Sequence, residues 1–206
     1  MTITKQEGEM HLSPPLTDDD VAQLRVGDHV KFFGTIYTSR DAAHRREIAA
    51  INEGTPLPFD MKGQVLYYVG PTPARPGRVV GSAGPTTAMR LDPYTPALLD
   101  QGLKAIIGKG GRGSMVKKSL QEHKAVYLIA IGGAGALLSQ TIKKLDVIAY
   151  EDLGTESVKK LEVEGFPAIV CCDMYGGDLL LEGKEQYRDQ AVLGAYQSVP
   201  PAEKAG

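Results

Sequence analysis

Short apolar segments recur along this chain, broken by polar or glycine-rich stretches. In 28–40 (DHVKFFGTIYTSR), Val30, Phe32 and Tyr37 interleave with polar residues, which predicts a strand. Residues 41–54 (DAAHRREIAAINEG) are rich in Ala, Arg, Glu and Ile and hold no Pro or Gly until the end. They predict a helix with Asp41 near its start and Gly54 at its stop. QVLYYVG at 64–70 predicts a strand, closed by the breaker-rich PTPARPG at 71–77. Residues 78–91 carry short extended pieces around Gly84-Pro85, and 94–102 predict a short helix closed by Gly102. A regular rhythm follows: strand 104–108, helix 114–123, strand 125–131, helix 134–142 and strand 145–152. Such alternation implies an α/β layer with at least partly parallel strands. Residues 158–173 read as a hairpin, two strands around a Glu164-Gly165 turn.

The ends differ from this middle. Residues 1–24 form an N-terminal arm, either a loose leader or an edge-pairing segment. Within it, Thr17 and the acidic run Asp18, Asp19, Asp20 predict a capped turn of helix over 18–25. The last thirty residues are polar, and 191–206 read as a flexible tail. One compact domain over 25–190 is expected between them. A chain of 206 residues can bury a core without staples.

Composition narrows the function. Lys plus Arg number 23 and Asp plus Glu 25, so the formal net charge of −2 lacks the basic excess of nucleic-acid binders. The N-terminus has no apolar signal region, and the longest apolar run, AVYLIAI at 125–131, is too short to span a bilayer. No nucleic-acid or membrane partner is therefore expected. Two cysteines, adjacent at Cys171 and Cys172, exclude a disulfide framework and any metal site built from cysteine alone. A reduced, cytoplasmic setting is the default. Adjacent residues of a strand point to opposite faces, so joint ligation of one metal by this pair is not expected. His11 and His123 have no partner pattern and read as surface residues. No metal ligand or cofactor-binding residue is assigned to this chain.

Three segments carry candidate chemistry. Gly108-Lys109-Gly110-Gly111-Arg112-Gly113 matches G-x-G-x-x-G between a strand and a helix. It reads as a dinucleotide fingerprint, as an anion site charged by Lys109, or as a structural turn. The fingerprint lacks its acidic residue, because the next strand ends Ile131-Gly132-Gly133. Gly84-Pro85-Thr86-Thr87-Ala88-Met89-Arg90 sets two hydroxyls and a guanidinium within five residues of a rigid turn. In Thr35–Arg46 a strand hands over to a helix, and Arg40 and His44 share a face if both are helical. Taken together, Arg40, Arg90 and Lys109 lie near strand-to-loop junctions, where α/β folds build sites. Three cations among hydroxyls, with little apolar lining, suit a small di-acid.

These segments also carry a resemblance. GTIYTSRDAAHRR, LPFDMKGQVLYYVGPTPA, GSAGPTTAMRLDP and GLKAIIGKGGRG resemble the β subunit, or C-terminal domain, of class I iron–sulfur hydro-lyases. That family contains fumarate hydratase and L(+)-tartrate dehydratase, and the likeness runs from about 25 to 190 in order. It implies a swivelling β/β/α three-layer domain. It implies reversible hydration of fumarate to (S)-malate, with tartrate dehydration as the neighbouring reaction. It further implies a [4Fe–4S] cluster bound by a partner α subunit and not by this chain. By motif, Arg40, Arg90 and Lys109 match substrate-carboxylate contacts, with Thr87 beside them. Thr86 matches the proton-abstracting base, and His44 a positioning or proton-relay residue. The chain departs from the family pattern at Thr72, where Cys is expected, and at Gly111, where Asn is expected. A rival reading is a nucleotide-binding regulatory module using 108–113; a weaker one is a scaffold domain.

Overall fold

The computed structural model describes residues 3–6 and 8–188. The 191–206 tail lies outside the described residues. The elements in chain order are β1 (Ile3–Gln6), β2 (Glu9–Leu12), α1 (Asp18–Val21), β3 (His29–Thr38), α2 (Asp41–Glu53) and β4 (Val65–Tyr67). A 3-10 turn (Ala88–Leu91), α3 (Thr95–Asp100), β5 (Ala105–Gly108), α4 (Ser114–Glu122), β6 (Val126–Ile129) and α5 (Gly135–Gln140) follow. The chain then forms β7 (Ile142–Ala149), a second 3-10 segment (Glu151–Glu156), β8 (Val158–Cys172) and α6 (Leu179–Gln186).

The sheet has eight strands in the order β1-β2-β3-β4-β5-β6-β8-β7, with β3 also paired to β8. The pairings β3–β4–β5–β6–β8–β3 thus close on themselves. β3, β4, β5 and β6 run parallel to one another, as the alternating rhythm predicts, and β8 closes the series antiparallel to both β6 and β3. Their residues alternate between two cores. Val65, Tyr67, Ala105, Ile107, Val126 and Leu128 join Phe32, Leu161 and Phe166 in one core. Leu66, Tyr68, Ile106 and Tyr127 face the other way, against Leu98 and Leu99 of α3 and Val116 and Leu120 of α4. Strands buried on both faces lose the simple polar alternation, so they read as apolar runs. Strands face strands across the first core and helices across the second, which is the three-layer α/β arrangement expected.

Residues 158–173 are not a hairpin. β8 is one strand of fifteen residues. Both its halves pair with β3, and the register skips from Phe32↔Phe166 to Phe33↔Glu164. Gly165 is the extra residue, with φ of +68°. Only a residue free to adopt that left-handed backbone makes the bulge without strain, and the strand bends there instead of reversing. Gly in a strand signals a turn or a bulge equally well, and pairing partners over a hundred residues away decide between them.

The N-terminal segment pairs at the sheet edge, β2 running parallel to β3. Leu12, Leu16, Val21 and Leu24 are buried in the first core. Thr17 caps α1 in a capping box, its hydroxyl accepting from the Asp20 N–H. The helix over 179–186 was not expected. Its start is legible in retrospect: Asp178 Oδ1 accepts from the Leu180 and Leu181 N–H groups at 3.0 and 3.1 Å. No helix among the described residues is long and apolar enough to cross a membrane.

Candidate active site

Three chain segments converge at the ends of β3, β4 and β5. After β4, the Thr86 N–H donates to the Tyr68 carbonyl at 2.7 Å. The Lys109 N–H donates to the Thr86 carbonyl at 3.1 Å, and the Ala88 N–H to the Lys109 carbonyl at 2.9 Å. This short ladder holds the 84–90 turn against the start of the glycine loop. It brings Thr86, Thr87, Arg90 and Lys109 into one neighbourhood. Thr86 is buried, while Thr87, Arg90 and Lys109 are exposed. No carboxylate among the described residues pairs with the Lys109 ammonium.

Asp41 joins Arg40 to this group. Its Oδ2 sits 3.1 Å from Arg40 Nε and 3.0 Å from Arg90 Nη2. Burial pushes the Asp41 carboxyl up, but its own backbone N–H, Arg90 and Arg40 outweigh that and hold it below the usual range. Arg40 is not helical. It is the extended N-cap of α2, so the shared face expected with His44 does not form. Its Nη2 also meets Glu156 Oε1 at 3.2 Å, and Glu156 Oε2 accepts from the Ala42 N–H at 2.8 Å. Glu156 thereby caps α2 in place of the N-cap side chain. Lys159 fixes that segment, its ammonium donating to the Gly154, Thr155 and Ser157 carbonyls. Gly70 makes room for Arg40: a Cβ there would stand 2.8 Å from Arg40 Nη1. Asp41 and Glu156 are site residues that sequence reasoning missed. Asp41 signals only a helix start, and Glu156 lies 114 residues from Ala42.

The glycine loop is built around Arg112. Its guanidinium is buried, with Nε 2.7 Å from Asp92 Oδ1 and Nη2 donating to Thr95 Oγ1. It stacks 5.5 and 5.0 Å from the Tyr68 and Tyr127 ring centroids. Asp92 Oδ2 accepts from the Gly113 N–H at 2.7 Å. A carboxylate therefore already sits at the N-terminus of α4, where a dinucleotide fingerprint needs a pyrophosphate. Gly111 has ordinary space, since a Cβ would lie 3.7 Å from Leu180 Cδ1. Thr72, the other departure from the family pattern, accepts from the Ser82 N–H at 2.8 Å and braces its own loop.

His44 lies beneath the cation cluster, fully buried, edge-on to the Tyr68 and Tyr94 rings at 5.2 and 5.8 Å. Ser39 Oγ stands between His44 Nδ1 (2.8 Å) and Glu47 Oε2 (2.9 Å). Burial, then the Arg112 charge, lowers the His44 pKa to about 3. Burial raises Glu47 to about 7 against a smaller opposing effect of Ser39. Between those values both groups are neutral, so their 3.4 Å approach is not an ion pair there.

These shifts have opposite linkage signs. His44, depressed from 6.5, contributes stability above pH 6.5 that is lost as pH falls towards 3. Glu47, raised from 4.5, contributes stability below pH 4.5 that is lost as pH rises through 7. Between pH 4.5 and 6.5 the two offset each other. Glu47→Gln removes one side of that balance. The variant's unfolding free energy is expected to climb with pH, relative to the parent, by about 1.4 kcal/mol per unit across this window. Denaturant melts at several pH values check it; parallel profiles would contradict the assignment.

Cys171 and Cys172 do not point apart. The β6–β8 register passes from Tyr127↔Cys172 to Leu128↔Val170, leaving Cys171 as a bulge residue. Both thiols face the second core, and with an Asp178 oxygen they lie within 4.8 Å of one another. Asp178 is engaged elsewhere, by Lys117 Nζ at 2.9 Å and by its own helix cap. His11 packs against Phe33, and His123 bonds Asp100 and the Ser119 carbonyl.

The family model described as Fumarase C-terminus matches residues 2–183. The "Fumarate hydratase class I, aerobic" of Salmonella typhimurium is 37% identical over 84% of this chain and 31% of its own length. "Fumarate hydratase 2" of Leishmania major is 38% identical over 77% of this chain and 28% of its own. The chain thus spans about a third or less of these fumarate hydratases. The "L(+)-tartrate dehydratase subunit beta" of Escherichia coli is 32% identical over 87% of this chain and 90% of its own length. A model match across nearly the whole described chain, at the segments that build the cation cluster, places the chain in a family: it belongs to the Fumarase C-terminus family.

Proposed function

We propose that this chain is the substrate-gripping β subunit of a two-chain fumarate hydratase, hydrating fumarate reversibly to (S)-malate. The observation that carries the reading is the convergence of Arg40 and Arg90 on one Asp41 oxygen, at 3.1 and 3.0 Å, with Lys109 and Thr86 tied to the same turn. Guanidinium forks bind carboxylates in two parallel bonds, so two arginines and a lysine suit a dicarboxylate. Arg40, Arg90 and Lys109 bind the carboxylates, and Thr87 offers a hydroxyl beside them. Thr86 takes the proton from the carbon next to the carbinol in the dehydration direction. A free alcohol is a poor base, and the nearby cations stabilise the developing alkoxide. His44 holds a proton behind the site.

The reading assigns a [4Fe–4S] cluster to a separate α subunit. The residues of this chain do not fit such a cluster. Cubane clusters take several thiolates, and here only an adjacent buried pair is present, beside an Asp178 already bonded to Lys117. Proton transfer and carboxylate binding fall to this chain, and the remaining chemistry to its partner. The cytoplasm suits both the reduced cysteines and such a partner.

Anaerobic co-purification with the partner, followed by a fumarate hydration assay, tests the proposal. Hydration is expected, and Lys109→Ala is expected to raise KM by roughly 10–100-fold, the worth of a charged hydrogen bond. A reconstituted pair that leaves fumarate and malate unchanged would sink the reading. The tartrate reaction is kept as a second reading because a relative matched over 90% of its length is a tartrate dehydratase β subunit. Relative kcat/KM for malate and tartrate decides between them.

A further inference from the structure

Three buried polar atoms lack a hydrogen-bond partner among the described residues: His44 Nε2, Glu47 Oε1 and Arg112 Nη1. Two belong to one chain of contacts, Glu47 Oε2–Ser39 Oγ–His44 Nδ1, at 2.9 and 2.8 Å. A serine hydroxyl has one proton to donate, so it serves Glu47 or His44 but not both. That choice sets the imidazole tautomer. With Glu47 protonated, its O–H donates to Ser39, Ser39 donates to His44 Nδ1, and the ring proton sits on Nε2. With Glu47 ionised, Ser39 donates to Glu47, His44 Nδ1–H donates to Ser39, and Nε2 is a bare acceptor.

We propose that Glu47, Ser39 and His44 form a buried proton relay, through which His44 gives or takes a proton at Nε2 while its imidazole stays neutral. The atoms balance. As Nε2–H gives up its proton to an oxygen of a bound ligand or water, Nδ1 receives one from Ser39, and Ser39 receives one from Glu47; the negative charge ends on the carboxylate. The return runs in reverse. The surroundings favour this over an imidazolium. The Arg112 cation faces the ring from the glycine loop, Tyr68 from just after β4 and Tyr94 from just before α3, with Asp41 and the Arg40 carbonyl on the α2 side. Tyr150 faces Glu47 from the end of β7. Burial holds Glu47 near 7, where it exchanges a proton at neutral pH. Glu47 and Ser39 act only through His44, so they are positioning residues.

The inference rests on the proposed role of His44, and its test separates the two. Ring 15N shifts of His44, recorded in the full chain, are expected to report Nε2–H below about pH 7 and Nδ1–H above it. In Glu47→Gln, which mimics the neutral acid in shape, the tautomer is expected to be the same at every pH. Ser39→Ala is expected to break the coupling likewise. In the assembled enzyme, Glu47→Gln is expected to lower kcat roughly 10²-fold, the low end for loss of general acid–base assistance, with KM within about twofold. It is also expected to remove the limb near pH 7 from the kcat profile. A pH-independent tautomer in the parent chain overturns the relay, as does a Glu47→Gln enzyme with an unchanged profile. A tautomer switch in a chain whose assembled pair hydrates nothing keeps the relay and removes the fumarate reading instead.

Discussion

Arg90→Ala in the reconstituted enzyme is expected to lower kcat/KM for fumarate by roughly 10³-fold, because removing one partner of a desolvated charge pair costs about 2–5 kcal/mol. The fold is expected to survive. The Arg90 side chain is 51% exposed and, among the described residues, its one ion pair is with Asp41. Surface changes of that kind stay within about 0.5 kcal/mol, or roughly 1–2 °C of Tm for a domain this size. Asp41 keeps Arg40 at 3.1 Å, so the local geometry retains an anchor. Arg90→Lys restores the charge without the fork, and recovery is expected to be partial. Near-normal kcat/KM in Arg90→Ala would remove Arg90 from the site, and with it the meaning given to the shared Asp41 oxygen.

The second large effect falls on stability. Arg112→Ala is expected to cost about 3–5 kcal/mol, the usual penalty for breaking a buried ion pair from one side. Its guanidinium has no exposure, and Asp92 opposite is only 13% exposed. Removing Arg112 leaves Asp92 with the Gly113 N–H as its partner among the described residues and opens space between the Tyr68 and Tyr127 rings. Tm is expected to fall by roughly 6–20 °C at ~2–4 °C per kcal/mol. Activity is expected to fall too, since Arg112 ties the Lys109 loop to Asp92, just after the turn bearing Arg90. A thermal scan showing a shift below about 2 °C would mean that this network is not what holds the loop. The contrast between the variants is informative. Arg90 and Arg112 are both arginines in loops beside strand ends, yet one is half exposed and the other is built into the scaffold.

Much of the architecture was legible because its signals are local. Thr17 with Asp20, and Gly54 at the end of 41–53, are cap signals that act within one turn of chain. The alternation of apolar strand and amphipathic helix over 104–142 identified the α/β layer, since that rhythm is what two-sided burial of parallel strands requires. The structure brings Arg40, Arg90, Lys109, Thr86 and Thr87, marked by residue type at strand-to-loop junctions, into one neighbourhood. The misreadings share a cause. A glycine in a strand and two adjacent cysteines look the same in sequence whether the strand turns, bulges or runs straight. In both places a bulge decided the outcome, and a bulge exists only relative to a partner strand. The 179–186 helix was hidden by Gly183 in its middle and by the polar residues that follow its three leucines.

The sequence by itself determined the class of fold, the placement of cations at strand ends and the shortage of thiols, because each follows from short-range pattern and residue count. The tertiary structure alone decided which charges meet. Asp41 joins its neighbour Arg40 to Arg90, 49 residues further on, and Glu156 reaches back 114 residues to cap α2. It also decided that Arg112, Glu47 and His44 are buried. Burial is what turns an ordinary glutamic acid into a group titrating near neutrality, and an ordinary histidine into one that stays neutral. Desolvation depends on what every other part of the chain places around a side chain, and no local pattern encodes that.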